Sequence, residues 1–451
     1  MKDYERIIND PVRSAEERLE ALKALETERG AGKTPKTGEI NNHIHTIYSF
    51  SPYTPAMAAL KSRDAGLEAA GSVDHDSAGA AEEMLAACGI LGIGGCVGFE
   101  VRVSFKNDPS GNDGPLGDKK LNNPDSEGIA YMTVQGIPRQ AIPKAAEFLA
   151  PIRAERLRRT KRMAENANVL LREAGLEEID FDRDIREKSC YDRGGEVTER
   201  HLLAAAAEKL IARYGRSPAL SEGLKAGFGV DPGPKIGALL SDPDNPHCLF
   251  DLLGVLKSAL LPRIFIQGTE AECIPARKMT EFALSIGAIP AYAYLGDVGE
   301  SPTADKKAEK FEDDFLEILF DELKAMGYRA VTYMPPRNTE EQLRRLRRFC
   351  REQGFMEISG VDINSSRQSF NCPKVLEPAF RHLVDTTWAL IAHERLATAD
   401  PRLALFSPEN PLSARTLERR LEIYAEKGKK LDPHKSDESA FIMAREILER
   451  M

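Results

Sequence analysis

Short apolar runs alternate with helix-like segments between residues 39 and 105. The runs "NNHIHT", "AAGSVDHDS" and "CVGFEVRVSF" are strand-like. The segment between the first two opens with Thr54 as an N-cap and Pro55 in the first turn, and the next helix is expected to start at Asp76 or Ser77. Strands separated by helices of this length indicate parallel βαβ units. The alternation therefore predicts an α/β fold.

The presence or absence of this strand–helix alternation also divides the rest of the chain. Residues 1–38 read as an N-terminal helical extension, and residues 107–286 as a mainly helical insertion. The strand–helix rhythm returns from 287 to 375, so 39–106 and 287–375 are predicted to form one barrel-like domain. Residues 376–451 read as a C-terminal helical extension.

The composition limits the partners and the compartment. Among 451 residues, 42% are hydrophobic and 29% charged, which is typical of a globular protein. The net charge of −9 argues against a nucleic-acid partner, and no apolar run is long enough for a signal peptide or a membrane span. The seven cysteines are scattered without a CxxC pair, which favours the reducing cytoplasm. We expect a small-molecule substrate and leave homo-oligomerisation open.

Several familiar catalytic motifs fail on spacing. The stretch "GAGKTPKTG" at 30–38 lacks the first glycine of a phosphate loop and follows a helix rather than a strand. "GILGIGGCVGFE" lacks the GxGxxG spacing and leads into a strand, so a dinucleotide fold is not expected. GxSxG and HExxH are both absent.

Potential metal ligands follow one another along the first three predicted strands. They are the pair His43 and His45, then the run 74–76 (Asp-His-Asp), then Glu100. The carboxyl ends of parallel strands meet at one face of the sheet, where active sites lie. Imidazoles and carboxylates that converge there suit zinc, manganese or iron. The order of these groups, one per βα unit, indicates a metal site.

These motifs resemble the PHP (polymerase and histidinol phosphatase) family of metal-dependent phosphoesterases. "HIHT", "SVDHDS" and "GFEVRVSF" are similar to its HxH, TDHD and GxE motifs, "EVTERHLLAAAAEKL" to its next ligand helix, and "AIPAYAYLGD" and "GVDIN" to its AHPG and GSDxH segments. The resemblance implies a distorted (β/α)7 barrel. It also implies a helical insertion of the kind found in the amidohydrolase-like branch.

The resemblance also implies a ligand set. The first metal site of the family corresponds here to His43, His45, Glu100 and Asp362. The second retains the equivalent of His201, whereas Tyr294 stands in place of a histidine. In the third only His75 remains, with Phe50 and Asn364 at the other positions. We therefore expect one to two divalent transition ions, Mn, Zn or Fe.

Further residues are predicted to act around the metal. Asp74 or His75 is expected as a base outside the ligand set, and Tyr294 as a weak ligand or proton donor. Asn364 can hydrogen-bond a ligand. Arg337 and Arg367, just past predicted strand ends, could clamp a phosphate or carboxylate, and Arg102 and Lys257 are further candidates.

Three functional hypotheses follow. The first is a metal-dependent hydrolase, a phosphoesterase acting on a small phosphorylated metabolite. The second is a metal-dependent lyase, isomerase or C–N hydrolase acting on a small sugar acid or similar metabolite, since one ion suffices for such chemistry. The third is a non-catalytic module that binds a metal or a ligand.

Overall fold

Seven strands form a single sheet in the computed structural model, which describes residues 3–30, 35–106, 114–298 and 309–449. Residues 31–34, within the stretch tested for a phosphate loop, lie outside the described residues. The strands stand in sequential order, and their bounds are β1 Ile40–Ile44, β2 Ala69–His75, β3 Gly94–Ser104, β4 Ile129–Gln135, β5 Ile289–Ala293, β6 Ala330–Tyr333 and β7 Met356–Ser359.

The sheet curls into a nearly closed barrel. The segment that follows β7 pairs in parallel with β1 at Ile363 and Ile44. The amide of His45 donates to the carbonyl of Ile363 at 2.9 Å, and the amide of Ile363 donates to the carbonyl of His43 at 3.1 Å. The closing bonds therefore lie at the two histidines themselves. The predicted seven-stranded α/β barrel is confirmed.

One strand departs from the parallel pattern. β4 pairs antiparallel with both β3 and β5, whereas the other neighbours are parallel. It lies inside the range 107–286 that the sequence assigned to the helical insertion. Its sequence, "IAYMTVQ", is rich in residues that favour strands. An antiparallel partner needs no crossover helix, so the strand–helix rhythm gave no sign of it.

The α-helices account for most of the remaining described residues. In chain order they are α1 Tyr4–Ile8, α2 Ala15–Arg29, α3 Pro55–Asp64, α4 Ala81–Leu91, α5 Ile142–Glu173, α6 Glu199–Tyr214, α7 Pro218–Phe228, α8 Gly233–Ser241, α9 Cys248–Ala259, α10 Leu261–Ile264, α11 Ala276–Ser285, α12 Leu316–Ala325, α13 Glu340–Gln353, α14 His382–Ala399, α15 Leu417–Lys430 and α16 Ser436–Glu449. Among them, none is both long and apolar enough to cross a membrane.

The first two barrel helices test the local predictions. The hydroxyl of Thr54 accepts the amide of Met57 at 3.2 Å, which confirms it as the N-cap of α3. The predicted start of α4 is wrong: the helix begins at Ala81. Asp76 has a left-handed backbone with φ of 49°, and its amide donates to the carbonyl of Glu100 at 2.7 Å. The turn after β2 is thus tied to β3 before any helix begins.

The insertion has a hydrophobic core of its own. Helices α5 to α10 bury side chains against one another, separately from the barrel core, among them Met163, Leu171, Leu202, Leu210, Leu252 and Leu256. Residues of α6, α9 and α10 also line the cavity at the barrel mouth. The insertion therefore forms a second wall over the carboxyl ends of the strands.

The terminal helices pack on the outside of the barrel. Arg18 of α2 forms a buried ion pair with Glu83 of α4, at 2.8 Å from Nε to Oε1. On α14, the Thr387 hydroxyl accepts the side-chain amide of Asn42 from β1 at 2.7 Å, and Glu394 accepts the amide of Val97 from β3 at 2.7 Å. Both hydrogen bonds therefore hold strands that also carry predicted metal ligands.

Candidate metal centre and active site

His43, His45 and Glu100 are gathered at the mouth of the barrel. We call these three residues the metal cluster. One ligand atom from each lies within 4.8 Å of the other two, and all three side chains are buried. Nε2 of His43 is 3.8 Å from Oε1 of Glu100, and Nε2 of His45 is 3.7 Å from Oε2. Glu100 lies inside β3 rather than at its end, because β3 continues to Ser104 to pair with β4.

Asp362 lies at the edge of the cluster, in the segment that closes the barrel. Its Oδ1 is 3.4 Å from Nε2 of His45, and its side chain is 34% exposed. The side-chain amide of Asn364 donates to the same oxygen at 2.7 Å. Asp362 is thus within reach of an ion held by the cluster, and Asn364 orients it.

His75 joins the cluster on the opposite side. It stands directly across from Glu100 in the β2–β3 register, and its Nδ1 lies 3.1 Å from Oε2 of Glu100. That nitrogen is buried and has no hydrogen-bond partner in the described part of the chain. The His75 and His45 rings are 4.6 Å apart. His75 was predicted to be catalytic, and its position would also suit a ligand.

This donor set fits a divalent transition ion. Imidazole nitrogens and carboxylate oxygens are the ligands that Zn, Mn and Fe share. Two ligand atoms bound to one ion at ~2.1 Å stand roughly 3–3.5 Å apart. The separations of 3.4 to 3.8 Å from Glu100 and Asp362 to the two histidines need only small adjustments to meet that range.

The electrostatics of the cluster also favour a cation. Burial lowers the pKa of His45 to about 3, so its imidazole is neutral at pH 7 and offers a lone pair. Burial, followed by the nearby carboxylates of Asp362 and Asp76, raises the pKa of Glu100 well above its usual range. Two neutral histidines beside crowded carboxylates form a site that a bound cation would stabilise.

Asp74 acts on His45 through the loop that follows it. The Asp74 carboxylate accepts the amide and hydroxyl of Thr46, both at 2.6 Å, and the hydroxyl of Ser49 at 2.7 Å. Ser49 Oγ also lies 3.3 Å from Nδ1 of His45. Because the Ser49 proton goes to Asp74, its oxygen accepts a proton from Nδ1, which leaves the lone pair on Nε2 facing the cluster. Burial raises the pKa of Asp74 to about 6.

The predicted catalytic role of Asp74 stays a prediction, since the contacts described are those of a residue that orients a ligand. Thr46 and Ser49 were not named from the sequence. The only signal was their place: two hydroxyl residues within four positions of the second histidine, in "HTIYS".

His201 does not join the metal cluster. Its Nδ1 accepts the backbone amide of Thr198 at 3.0 Å, which caps the start of α6. Its ring packs edge-on against Phe50, with centroids 4.9 Å apart. One ring nitrogen is used by the cap and an apolar side chain packs on the ring, so the ligand role of His201 stays a prediction that these contacts do not support.

Tyr294 and Arg337 also differ from expectation. The Tyr294 ring lines the cavity, but its hydroxyl donates to Asp313 at 2.5 Å, and burial together with this carboxylate raises its pKa. Nε of Arg337 donates to the carbonyl of Leu295 at 3.2 Å, and Arg337 is not among the cavity-lining residues. A hydroxyl already bound to a carboxylate is poorly placed as a ligand or proton donor.

Of the other candidates for substrate binding, Asn364, Lys257 and Arg102 line the cavity. Arg367 turns instead toward the insertion and forms a two-point ion pair with Asp251 of α9, with Nε–Oδ1 at 2.5 Å and Nη2–Oδ2 at 2.7 Å. The prediction that Arg367 binds substrate is corrected, because a carboxylate on the insertion already occupies its guanidinium.

The cluster opens onto a cavity of about 280 Å³ between barrel and insertion. Barrel residues form one wall, including His43, His75, Glu100, Tyr131, Asp362 and Asn364. Insertion residues form the other, including Thr198, Arg200, Leu203, Lys257, Leu261 and Phe265.

Two cations on the insertion wall form no ion pair with a described residue, although the Asp362 carboxylate acts on Arg200 at longer range. The Arg200 guanidinium makes no hydrogen bond or ion pair within the described ranges, and it lies 5.5 Å from the centre of the Phe50 ring. Lys257 is exposed at the cavity and likewise has no partner among the described residues. The sequence suggested Lys257 but missed Arg200, whose only signal was its place beside His201.

Two other arginines at the cavity are already paired. Arg156 contacts Asp76 at 2.6 Å and Glu199 at 2.8 Å, and Arg102 pairs with Glu272. Arg159 binds the same two glutamates. These buried ion pairs join the insertion to the turn after β2, so they fix the two walls relative to each other. Charge available for a ligand is therefore concentrated at Arg200 and Lys257.

Comparisons with known proteins give little beyond the fold. No protein-family model matches the chain, and no curated protein matches it. Four chains of solved structures are similar, including the following two. One is a protein from Bifidobacterium adolescentis that is assigned provisionally as a metal-dependent phosphoesterase, with 17% identity, a TM-score of 0.47, and coverage of 78% of this chain and 96% of that one.

The other is an amidohydrolase from Chromobacterium violaceum with bound sulfate and no metal, again at 17% identity and a TM-score of 0.47, covering 76% of this chain and 95% of that one. Likenesses at this level show neither the activity nor the substrate of this chain.

Proposed function

We propose that this chain is a metal-dependent hydrolase that acts as a phosphoesterase on a small phosphorylated metabolite. The observation that carries the proposal is the metal cluster: His43, His45 and Glu100 converge within 4.8 Å, and His43 and Glu100 line a cavity. Their arrangement is held by the barrel itself, through strand pairing and through the Asp74–Ser49 contact to His45.

His43, His45 and Glu100 would hold the ion, with Asp362 and His75 within reach. When bound, the ion supplies Lewis-acid polarisation of a phosphoryl oxygen and lowers the pKa of a water molecule. In the overall reaction, the water oxygen bonds to phosphorus and the bond from phosphorus to the ester oxygen breaks. The water protons are shared between the released alcohol and phosphate.

Arg200 and Lys257 would bind the phosphate. Both line the cavity from the insertion side and form no ion pair with a described carboxylate, and the Asp362 carboxylate acts on Arg200 only at longer range. A guanidinium binds phosphate oxygens through two parallel donors, and an ammonium acts as a point charge. A phosphoryl group between the two walls would meet positive charge on both sides.

One observation favours a second candidate. One ring nitrogen of His201 and the hydroxyl of Tyr294 are used elsewhere, and the described ligand atoms of the metal cluster gather around a single position. One ion suits Lewis-acid chemistry on a carbonyl or hydroxy acid, as in a lyase, an isomerase or a C–N hydrolase. The carboxylate of such a substrate would also fit Arg200 and Lys257.

The test is a metal-reconstitution assay. Protein freed of metal is loaded with Mn²⁺, Zn²⁺ or Fe²⁺ and assayed against panels of phosphomonoesters, sugar acids and amides. Phosphate release that depends on metal and is lost in Glu100→Gln supports the proposal, with His434→Ala, an exposed histidine far along the chain, as the matched control. Metal-dependent turnover confined to non-phosphorylated substrates would favour the second candidate. Metal binding without turnover of any panel would indicate a non-catalytic module.

A further inference from the structure

We propose that the substrate has an apolar leaving group with a ring, which packs against Leu203, Leu261 and Phe265 of the insertion; this inference rests on the proposed phosphoesterase function. The three side chains lie together on the wall that faces the metal cluster. None of them was predicted from the sequence.

The apolar residues are spaced regularly behind the two free cations. On α6, Leu203 follows Arg200 by three positions, so both lie on one face of the helix. Leu261, at the start of α10, follows Lys257 of α9 by four positions. Each helical segment therefore offers a cation and, about one turn further on, a leucine. A phosphate bound at the cations would leave its ester substituent beside the leucines.

Phe265 completes this wall and is held rigidly. Its ring lies 5.7 Å from the guanidinium carbon of Arg159. Arg159 is in turn fixed by buried ion pairs to Glu199 and Glu272. An aromatic ring held in this way provides a flat surface on which another ring can pack.

The part of the opposite wall at the metal cluster would not serve an apolar group. Tyr131, Tyr294, Tyr333 and Met334 also line that wall, but its part at the cluster carries His43, Glu100, Asp362 and Asn364. Apolar surface placed there would displace hydration from charged groups without compensating hydrogen bonds. The cavity thus offers the metal cluster and the two cations for the phosphate, and apolar side chains of the insertion for the alcohol. A polyhydroxylated leaving group would leave its hydroxyls unpaired against the leucines.

The experiment compares benzyl phosphate with glycerol 3-phosphate, whose leaving groups are both alkyl alcohols, on the metal-loaded full chain. We expect kcat/KM for benzyl phosphate to exceed that for glycerol 3-phosphate by about tenfold or more. Phe265→Ala should reduce this ratio by about fivefold or more, and Leu261→Asn should reduce it in the same direction. Phe282→Ala, which removes a ring stacked on Phe148, is the matched control and should leave the ratio unchanged.

A ratio of the two kcat/KM values near one in the wild type, or a ratio that neither variant alters, would overturn the inference. Because phosphate would still be released in that case, the proposed function would remain supported. If neither ester is hydrolysed, the proposed function fails, and binding decides the inference separately. Tighter binding of benzylphosphonate than of methylphosphonate by calorimetry, weakened in Phe265→Ala, would support the apolar wall. Equal affinity for the two phosphonates would overturn it.

Discussion

The barrel half and the insertion half of the site differ in what holds their side chains. In the barrel half, His43, His45, Glu100 and Asp362 lie on or next to paired strands, and hydrogen bonds between β1 and the closing segment pass through the histidine backbones. In the insertion half, Arg200, Leu203, Lys257, Leu261 and Phe265 lie on or beside short helices with their own core.

This difference separates two tasks. Strand register places the barrel ligands to within one residue, because a shift by one would turn a side chain to the other face. The insertion can exchange a side chain without moving the strands. We therefore assign metal binding to the barrel half, and recognition of the phosphate group and of the leaving alcohol to the insertion half.

The largest effect is expected from Glu100→Gln in the barrel half. The glutamine amide carries no charge, so it cannot replace the carboxylate that lies beside His43, His45 and His75. Metal affinity should therefore fall by more than 10- to 100-fold, which is the loss typical of changing a residue that only supports a ligand. Titration of metal-free protein with Zn²⁺ measures this. Retention of wild-type affinity would show that the ion is held elsewhere.

Ser49→Ala tests how the barrel half orients a ligand. It removes the acceptor for Nδ1 of His45, and metal affinity should fall about 10-fold without loss of the fold. Ser51→Ala is a matched control, because the Ser51 hydroxyl is buried without a hydrogen-bond partner among the described residues. Equal affinities for the two variants would remove Ser49 and Asp74 from the account.

Arg200→Met tests the insertion half. Loss of charged hydrogen bonds worth about 1.5–3 kcal/mol should weaken inhibition by inorganic phosphate by roughly 10-fold or more, with metal affinity unchanged. Arg367→Met is the control, since Arg367 binds Asp251 and lies outside the cavity lining. If Arg200→Met lowers metal affinity as much as Glu100→Gln does, the assignment of metal binding to the barrel half alone is wrong.

The smallest effect is expected from His201→Ala. It removes the cap of α6, which should cost about 0.5–2 kcal/mol of unfolding free energy, measured by urea denaturation. The number of ions bound per chain should stay the same. A drop in that number would restore His201 to the ligand set.

The sequence was sufficient for the parts of the site that depend on strand ends. His43, His45 and Glu100 were found because polar ligands recur once per strand in a parallel α/β pattern, and that pattern also predicted the barrel. The strand β4 was not predicted, because antiparallel pairing needs no intervening helix and so leaves no strand–helix alternation in the sequence. Glu100 lies in a cluster that could hold a metal, but not at a strand end, since β3 runs four residues beyond it.

The sequence failed where a role depends on which partner a long side chain meets. Arg367 and Arg200 look alike in a sequence, yet one forms an ion pair with Asp251 and the other forms none with a described carboxylate. The role of His201 likewise depends on whether its Nδ1 faces an ion or the start of its own helix. The Arg367–Asp251 contact joins residues 116 positions apart and is set by helix packing that local patterns do not encode. The His201–Thr198 contact spans only three positions, but the residue types alone do not show whether Nδ1 meets the helix start or an ion.

The most direct test of the metal centre is a crystal structure of the chain grown with Mn²⁺ or Zn²⁺, with anomalous diffraction recorded at the absorption edge of the metal. The account predicts one strong peak about 2.0–2.3 Å from Nε2 of His43, Nε2 of His45 and the Glu100 carboxylate. A peak bound elsewhere, or no peak at these three side chains at saturating metal, would contradict it.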